Sequence, residues 1–569
     1  MGRYNLLDEK WIAVICEDGG QTELVSLKEL FANAQRYYDL AGEMKTQDFA
    51  VMRVLLAVLH TVFSRFDAEG EPYDLLEIDE ERFRQEEPVS EEDLEKYEDV
   101  LFDTWMDLWK ERRFPEIVQE YLERWRDHFY LFDDRYPFYQ VTAAEMNELA
   151  AGGGQFFGKN LNRTVSESNN KVALFSPIGD IKKGKDKLSY DQLTRWIITF
   201  QGYTGTGDKV FVGSSKMQWS KGWLYDLGGI YLQGKNLFET LLLNCKLSVA
   251  NDKADEEIQY IQTVQIPSWE RSPIENVDVY FKNQVNNLAT LYSSWSRAVS
   301  FDQNFQEGEA FSCHIAKLPE INHVNNFLEP MTCWIRANTG PNKGNNLPKK
   351  HRPEEAMWRN FSILMGLEKE GEKSHRPGIL QWYSRISESL REIARYKITI
   401  CGVSMRDDGN ATSWSPTDEI VDTINLETAV AVDVGDDGWL VRISHLVNET
   451  RHKINRTLGI FLHRVSMIRG FDAKDSRLEN RGREELYQRI DVAFRDWIGK
   501  IRASDSMDEK SNEWYRVLEK ALMTYATEIF ESATVRDFKG ISEDDKELNI
   551  ATAYNAFRNQ IYKEFHREG

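Results

Sequence analysis

A chain of 569 residues with a formal net charge of −22 is too long for one hydrophobic core, since single cores stop growing at about 250 to 300 residues, and two or more domains are expected. Its 41% hydrophobic and 12% aromatic residues can fill them. No apolar run nears the ~20 residues of a membrane span and no charged-then-apolar leader opens the chain, which argues against a membrane and against export, while the acidic balance argues against a polyanion bound over the whole surface.

The five cysteines are scattered, odd in number and without a CxxC pair, as expected in a reducing cytoplasm. The charge is unevenly laid down. Seventeen acidic side chains against three basic ones lie between Asp67 and Asp103, whereas Arg451 to Arg483 holds nine basic against three acidic, and Lys159 to Arg195 eight against four. Two local basic tracts on an acidic protein can hold a polyanion there and repel it elsewhere, or be ordinary solvated faces.

In chain order, Tyr4 to Val14 and the run ending at Val25 read as strands about the turn Glu17-Asp18-Gly19-Gly20, and Ser26 with Glu29 marks a helix cap. Val51, Leu55, Val58, Leu59 and Val62 recur at helical spacing and predict a helix over 47–66. Further helices are expected over 115–128 and 188–200. Between them Gly152 to Asn170 reads as a long surface loop with Phe156 and Phe157, of the kind that can order on binding. Gln201 to Lys209 has three glycines in six residues, which permit positive φ and close backbone approach to a ligand, with Lys209 able to meet a phosphate. The plain alternative is a flexible loop.

Gly229 to Asn236 has GxxxxGK spacing, but Asn236 stands where a Mg²⁺-binding Ser or Thr belongs and the interior is bulky, so a strand-turn connection is expected. No metalloprotease, hydrolase or deaminase signature occurs, and Cys313, His314, His323 and Cys333 match no common zinc module. Buried structural cysteines, with no metal and no cofactor, are the expectation. Leu347 to Arg352 is a basic stretch suited to phosphate, and 368–377 reads as a surface loop. Ile398 to Met405 followed by Gly409-Asn410 predicts a strand and hairpin tip. Beyond residue 416, four apolar stripes beginning at Trp439, Leu486, Trp514 and Ala551 imply an antiparallel four-helix bundle. The fold class expected is α+β: an irregular mixed α/β domain over 1–415, then the bundle over 416–569.

The opening Tyr4-Asn5-Leu6-Leu7-Asp8-Glu9-Lys10-Trp11-Ile12-Ala13-Val14, the Asn169-Asn170 to Leu174-Phe175 tract ahead of the glycines, and the segments Tyr136 to Gln140, Ser294 to Arg297 and Met357 to Phe361 together resemble the large subunit (CasA family) of the type I-E CRISPR surveillance complex, Cascade. Tyr4 and Ala13 replace the family's usual Phe and Pro. The resemblance covers most of the chain. It implies a cytoplasmic, non-enzymatic subunit of antiviral defence that binds the protospacer-adjacent motif (PAM) of double-stranded DNA through the minor groove and starts strand separation. Its implied partners are the 5′ handle of the guide RNA, the other Cascade subunits and a helicase-nuclease effector.

Residue by residue, the resemblance points to Gly205, Thr206, Gly207 and Lys209 in the PAM minor groove, where A·T and T·A offer nearly the same acceptors. Gly409 and Asn410 would form the tip of a wedge under the first base pairs, Asn410 standing where the family has glutamine. Lys159, Asn162, Arg163, Asn169 and Asn170 would meet the guide-RNA handle. Phosphate contacts would come from Lys349, Lys350, Arg352, Arg451, Lys453 and Arg456. The family also inserts a lysine near the position of Phe327 to Met331; none stands there, and Lys317 and Lys343 are the nearest substitutes. Two other readings compete: a Mg²⁺-dependent nuclease using Asp133, Asp134 or the acidic cluster, and a scaffold that contacts protein alone.

Overall fold

The structure, a computed structural model, describes residues 2–16, 20–165, 184–205, 207–213, 219–251, 259–260, 263–367, 375–389, 397–409, 416–472, 474–543 and 546–566. It divides into two compact units that interleave along the chain: Met1–Arg352, Glu370–Ile386 and Cys401–Asp422 form the first, and Pro353–Lys369, Ser387–Ile400 and Thr423–Gly569 the second.

In the first unit the strands Ile12–Cys16 and Thr22–Val25 pair antiparallel with Ile12 opposite Val25, and Tyr37–Leu40 adds a third strand. The turn residues 17–19 lie outside the described residues. Arg3–Asn5 is a separate strand that pairs with Tyr130–Phe132, so the opening run is broken at Leu6 to Lys10. The expected cap forms in full: Ser26 Oγ accepts from the Glu29 amide, and Glu29 accepts from the Ser26 amide.

The Lys45–Phe63 helix is the centre of this unit. Every residue after Lys45 is buried, because the helices Ile117–Arg124, Tyr190–Tyr203, Leu237–Asn244 and Leu288–Tyr292 all pack on it. Its length and apolar composition would also suit a membrane span, yet the whole of it lies inside protein. The charges near it are paired: Arg53 meets Glu329 through two bonds of 2.8 and 2.7 Å, and Arg65 meets Glu270 at 2.7 and 3.0 Å. The helix expected over 115–128 is shorter, Ile117–Arg124, with a 3₁₀ turn at Arg126–His128. Gly154–Phe157, read as loop, is an edge strand on the sheet of Arg297–Phe301 and Ser312–Lys317.

Gly229–Gln233 is a strand, and Asn236 caps the following Leu237–Asn244 helix by accepting from the Glu239 amide at 2.9 Å. That cap is the use to which the phosphate-loop-like spacing is put. Gly229–Gln233 borders Lys397–Asp407, which pairs in turn with Pro416–Glu427.

The second unit is helical. Trp439–His452, a π turn at Lys453–Leu458 and Gly459–Ile468 follow one another without a break. Gly459–Ile468 packs on Arg477–Ile498 and on Ile550–Phe565, and Met507–Glu531 packs on the same two helices, closing a ring of four. Trp514, fully buried, donates to Thr450 Oγ1 at 2.9 Å and meets Phe494 edge-on. Residues 353–369 join this unit through Trp358, which stacks on Phe494 and donates to Asp491 at 2.7 Å, and through Arg359, ion-paired with Glu484 at 2.8 Å.

Candidate nucleic-acid interface

The Tyr190–Tyr203 helix buries Leu193, Trp196, Ile197 and Phe200 and delivers the chain into the glycine segment. Its last turn is anchored by Gln201, which accepts from the amides of Ser296 and Arg297 at 2.8 and 3.0 Å and donates to the Arg297 carbonyl at 2.9 Å. Two glycines then let backbone touch backbone. A Cβ on Gly222 would stand 2.2 Å from the Gly202 carbonyl oxygen, and one on Gly202 would stand 2.9 Å from Leu224; the Gly222 amide donates to Thr204 O at 3.0 Å.

The loop itself is held by Arg297, whose side chain is wholly buried. Its guanidinium donates to Gly205 O at 2.6 Å, to both Asp208 carboxylate oxygens at 2.9 and 3.0 Å, and to Ser220 O and Ser296 O at 2.8 Å. Gly205 is buried by this clamp, while Gly207 and Lys209 are exposed. Thr206 lies outside the described residues. Arg297 stands directly before the apolar run Ala298, Val299 and Phe301 on a buried strand, a placement that does not by itself mark an anchor.

The hairpin of Lys397–Asp407 and Pro416–Glu427 carries Thr417 bonded to Arg406 O on one side of its tip. Gly409 is exposed with φ of 68°, a left-handed conformation that suits glycine, and its amide donates to Asp407 Oδ1 at 2.9 Å. Asn410 lies outside the described residues. Asp407 also accepts from Lys350 at 3.0 Å, and the Lys350 ammonium sits 4.4 Å from the centre of the Tyr225 ring. Burial works against the Asp407 charge, but Lys350 and the Gly409 amide outweigh it and hold the carboxyl below its usual range.

Tyr225 belongs to the Trp223–Asp226 turn that starts at Gly222. Continuous contacts therefore run from the foot of the glycine loop, through Gly222, Tyr225 and Lys350, to the foot of the hairpin. Burial first, then Asp407, Asp226 and Asp408, push the Tyr225 phenol far up, and Arg163 opposes them. Arg163 thus shares this electrostatic neighbourhood.

Other residues named from sequence have different surroundings. Lys159 lies 3.9 Å from Asp186 and over the Phe157 ring. Asn162 is buried, its oxygen accepting from the Thr164 amide and hydroxyl at 2.9 and 2.6 Å. Asn169 and Asn170 lie outside the described residues. The Lys349 amide donates to Cys333 O, and Arg352 is exposed. Lys453 is buried between Glu449 at 3.3 Å and Glu564 at 3.6 Å, whereas Arg456 is exposed and Arg451 half-buried. Of the two substitute lysines, Lys317 is buried in its strand, its ammonium 5.6 Å from the Phe211 ring, and Lys343 is exposed.

Asp133 caps its own turn, accepting from the amides of Arg135 and Tyr136. Among the described residues no group of three or more His, Cys, Asp or Glu stands ready to hold a metal ion. His323 is stacked flat on Trp223. None of the five cysteines is in a disulfide among the described residues, and burial pushes the Cys401 thiol up to about 12.

Exposed Gly207, Lys209 and Gly409 thus stand beside ion-paired feet, Arg297 with Asp208 and Lys350 with Asp407, in a protein of mixed α/β class. The model of the family described as CRISPR-associated protein Cse1 matches residues 5–525, and the chain belongs to that family. It is 25% identical over 372 residues to the CRISPR-associated protein CasA/Cse1 of Thermus thermophilus, a match covering 64% of this chain and 60% of that relative, less than two thirds of its length. The fold is similar to that of Thermobifida fusca Cse1, with a TM-score of 0.78, 22% identity and 99% and 98% of the two chains covered. It is also similar to a chain of a solved CRISPR RNA-guided surveillance complex, with a TM-score of 0.62, 13% identity and 99% and 100% covered.

Proposed function

We propose that this chain is the non-catalytic large subunit of a type I-E CRISPR RNA-guided complex, reading the PAM of double-stranded DNA through the minor groove, starting strand separation and helping to recruit a helicase-nuclease. The observation that carries the reading is the pair of anchored tips. Gly207 and Lys209 project from a loop whose base is clamped by Arg297, and Gly409 projects from a hairpin joined to the same base through Tyr225 and Lys350. A clamped glycine loop presents amides without side-chain obstruction, which suits the narrow groove and its degenerate acceptor pattern.

Arg163 and Lys159 would serve the guide-RNA handle, with Asn169 and Asn170. The antiparallel four-helix bundle expected for 416–569 would offer Arg451 and Arg456 to phosphate, while Lys349 and Arg352 flank the hairpin foot. Asn162 and Lys453, committed to Thr164 and to two glutamates, would hold their neighbours in place rather than touch nucleic acid. The other complex subunits and a cytoplasmic setting follow from the same reading.

Gel shift of the assembled complex on a target duplex with its flank tests the proposal. Gly207→Leu is expected to weaken binding by about tenfold, or about 1.4 kcal/mol, without unfolding. Unchanged affinity removes the loop from the interface. The purified chain with labelled DNA and Mg²⁺ is expected to leave the strands intact, and cleavage would favour the nuclease reading. Intact duplex affinity after Lys209→Gln and Arg456→Gln together would favour the protein-only scaffold.

A further inference from the structure

In the helical unit a groove of ≈ 860 Å³ opens between the continuous rod Trp439–Ile468 and the first half of Arg477–Ile498. Arg451, Arg456 and Arg464 line it from the rod, and Arg483 from the facing helix. Resting on the phosphate-facing role given above to this unit, we propose that the groove is a discrete phosphate-binding site centred on Arg483, able to seat a nucleotide-sized anion.

Three observations support this. First, Arg451 and Arg456 are five residues apart, a spacing that turns side chains away from each other on an α-helix; the π turn at Lys453–Leu458, with its i→i+5 hydrogen bonds, brings both to the same groove.

Second, the backbone makes room for a guanidinium. A Cβ on Gly459 would lie 2.6 Å from Arg483 Nη2 and 3.1 Å from Nε, so Arg483 lies flat against the helix where no side chain intervenes. Its Nε is buried without a hydrogen-bond partner among the described residues. A buried donor of a charged group costs free energy until an acceptor arrives.

Third, the charge of these arginines is not neutralised from within the unit. Arg359, Arg469, Arg477, Arg489 and Arg495 each form an ion pair within the unit, whereas none of the four groove arginines does among the described residues. The groove's one carboxylate, Glu479, already accepts from His463 Nδ1 at 2.9 Å, and its second oxygen is buried without a partner. Four guanidiniums against one engaged acid leave a positive site, and planar guanidinium forks match phosphate oxygens in pairs. The volume lies within the ordinary range of small-ligand sites.

The test uses the full chain and three probes: a fluorescein-labelled oligothymidylate of about 12 nucleotides, inorganic phosphate and AMP. Fluorescence anisotropy is expected to show the oligonucleotide dissociation constant rising about tenfold for Arg483→Gln and for the exposed Arg456→Gln. Arg516→Gln, which removes one exposed charge on Met507–Glu531 away from the groove, is expected to change nothing. Displacement of the oligonucleotide by millimolar phosphate and AMP identifies a free nucleotide as a ligand; resistance to both, with the groove variants still weakened, identifies backbone phosphates.

Wild-type affinity in both groove variants overturns the proposal, as does an equal loss in all three arginine variants. Thermal melting of Arg483→Gln checks its fold, and Arg456→Gln carries the test if that variant unfolds. Gly207→Leu lies in the other compact unit and is expected to leave oligothymidylate affinity unchanged, so failure of the groove and failure of the PAM reading are separately visible.

Discussion

Arg297 commits each guanidinium nitrogen to fixing one loop: Nε to Asp208, Nη1 to the Ser220 and Ser296 carbonyls, Nη2 to Gly205 and Asp208. A lysine there would keep the charge but lose the planar fork, leaving part of the half-buried Asp208 and buried Gly205 acceptors unbonded. Arg297→Lys is expected to lower stability by about 3 kcal/mol and to weaken duplex binding as Gly207→Leu does. Urea unfolding and gel shift check this, and a variant matching the parent in both would mean that the clamp is idle. The three glycines and Lys209 were legible as a candidate loop from spacing alone. Gln201 and Arg297, which hold it, were not, because a polar side chain becomes an anchor only when distant strands bury it. Lys453 makes the same point from the other side: it reads like Arg451 and Arg456, and two glutamates enclose it.

At the scale of elements, local signals carried well wherever the deciding groups are neighbours in sequence. Ser26 and Glu29 cap a helix, and Asn236 caps another at the spot where a phosphate loop would need Ser or Thr. Extents were decided elsewhere. The helix expected to end at Phe200 continues to Tyr203 because Gln201 and Tyr203 are buried against their surroundings. Helical spacing in 47–66 suggested one apolar face, but four helices surround Lys45–Phe63 and bury it on all sides. The contact between Gly202 and Gly222 belongs to this scale, since it seats a helix end on a turn. Gly222→Ala would force a Cβ to within 2.2 Å of a backbone oxygen that cannot swing away. A loss of about 2 kcal/mol or more is expected, read as a lower melting temperature with reduced duplex affinity. Parent-like melting would show that the turn can shift at little cost.

Over the whole molecule, buried histidines make stability depend on acid. Burial holds His128 neutral, pushing its pKa down to about 4 despite the nearby Asp127, with Arg82 adding to the depression; burial likewise pushes His60 down to about 3. The unfolded chain takes up these protons near pH 6.5, so the stabilisation is full above that value and is lost as pH falls through 4. Asp48 runs the other way. Burial outweighs Lys45 and pushes its carboxyl up to about 6, so its contribution is present below about pH 4 and is lost as pH rises through 6. His128→Gln is therefore expected to flatten the stability curve between pH 6.5 and 4 while leaving the Asp48 limb intact. Urea unfolding across that range checks it, and a curve parallel to the parent's would rule out His128 as a source of the slope.

By itself the sequence determined membership of its family, the mixed α/β character, the helical run beyond Trp439 and the chain position of both loop tips. Each is written in residue types and short spacings. Only the tertiary structure decided which charges face out, that residues 353–369 belong with the helical unit, that the two loop feet meet through Tyr225 and Lys350, and that a π turn aligns arginines over Gly459. Those outcomes depend on which distant surfaces exclude water from a polar group and supply its partner, a condition that no local pattern encodes.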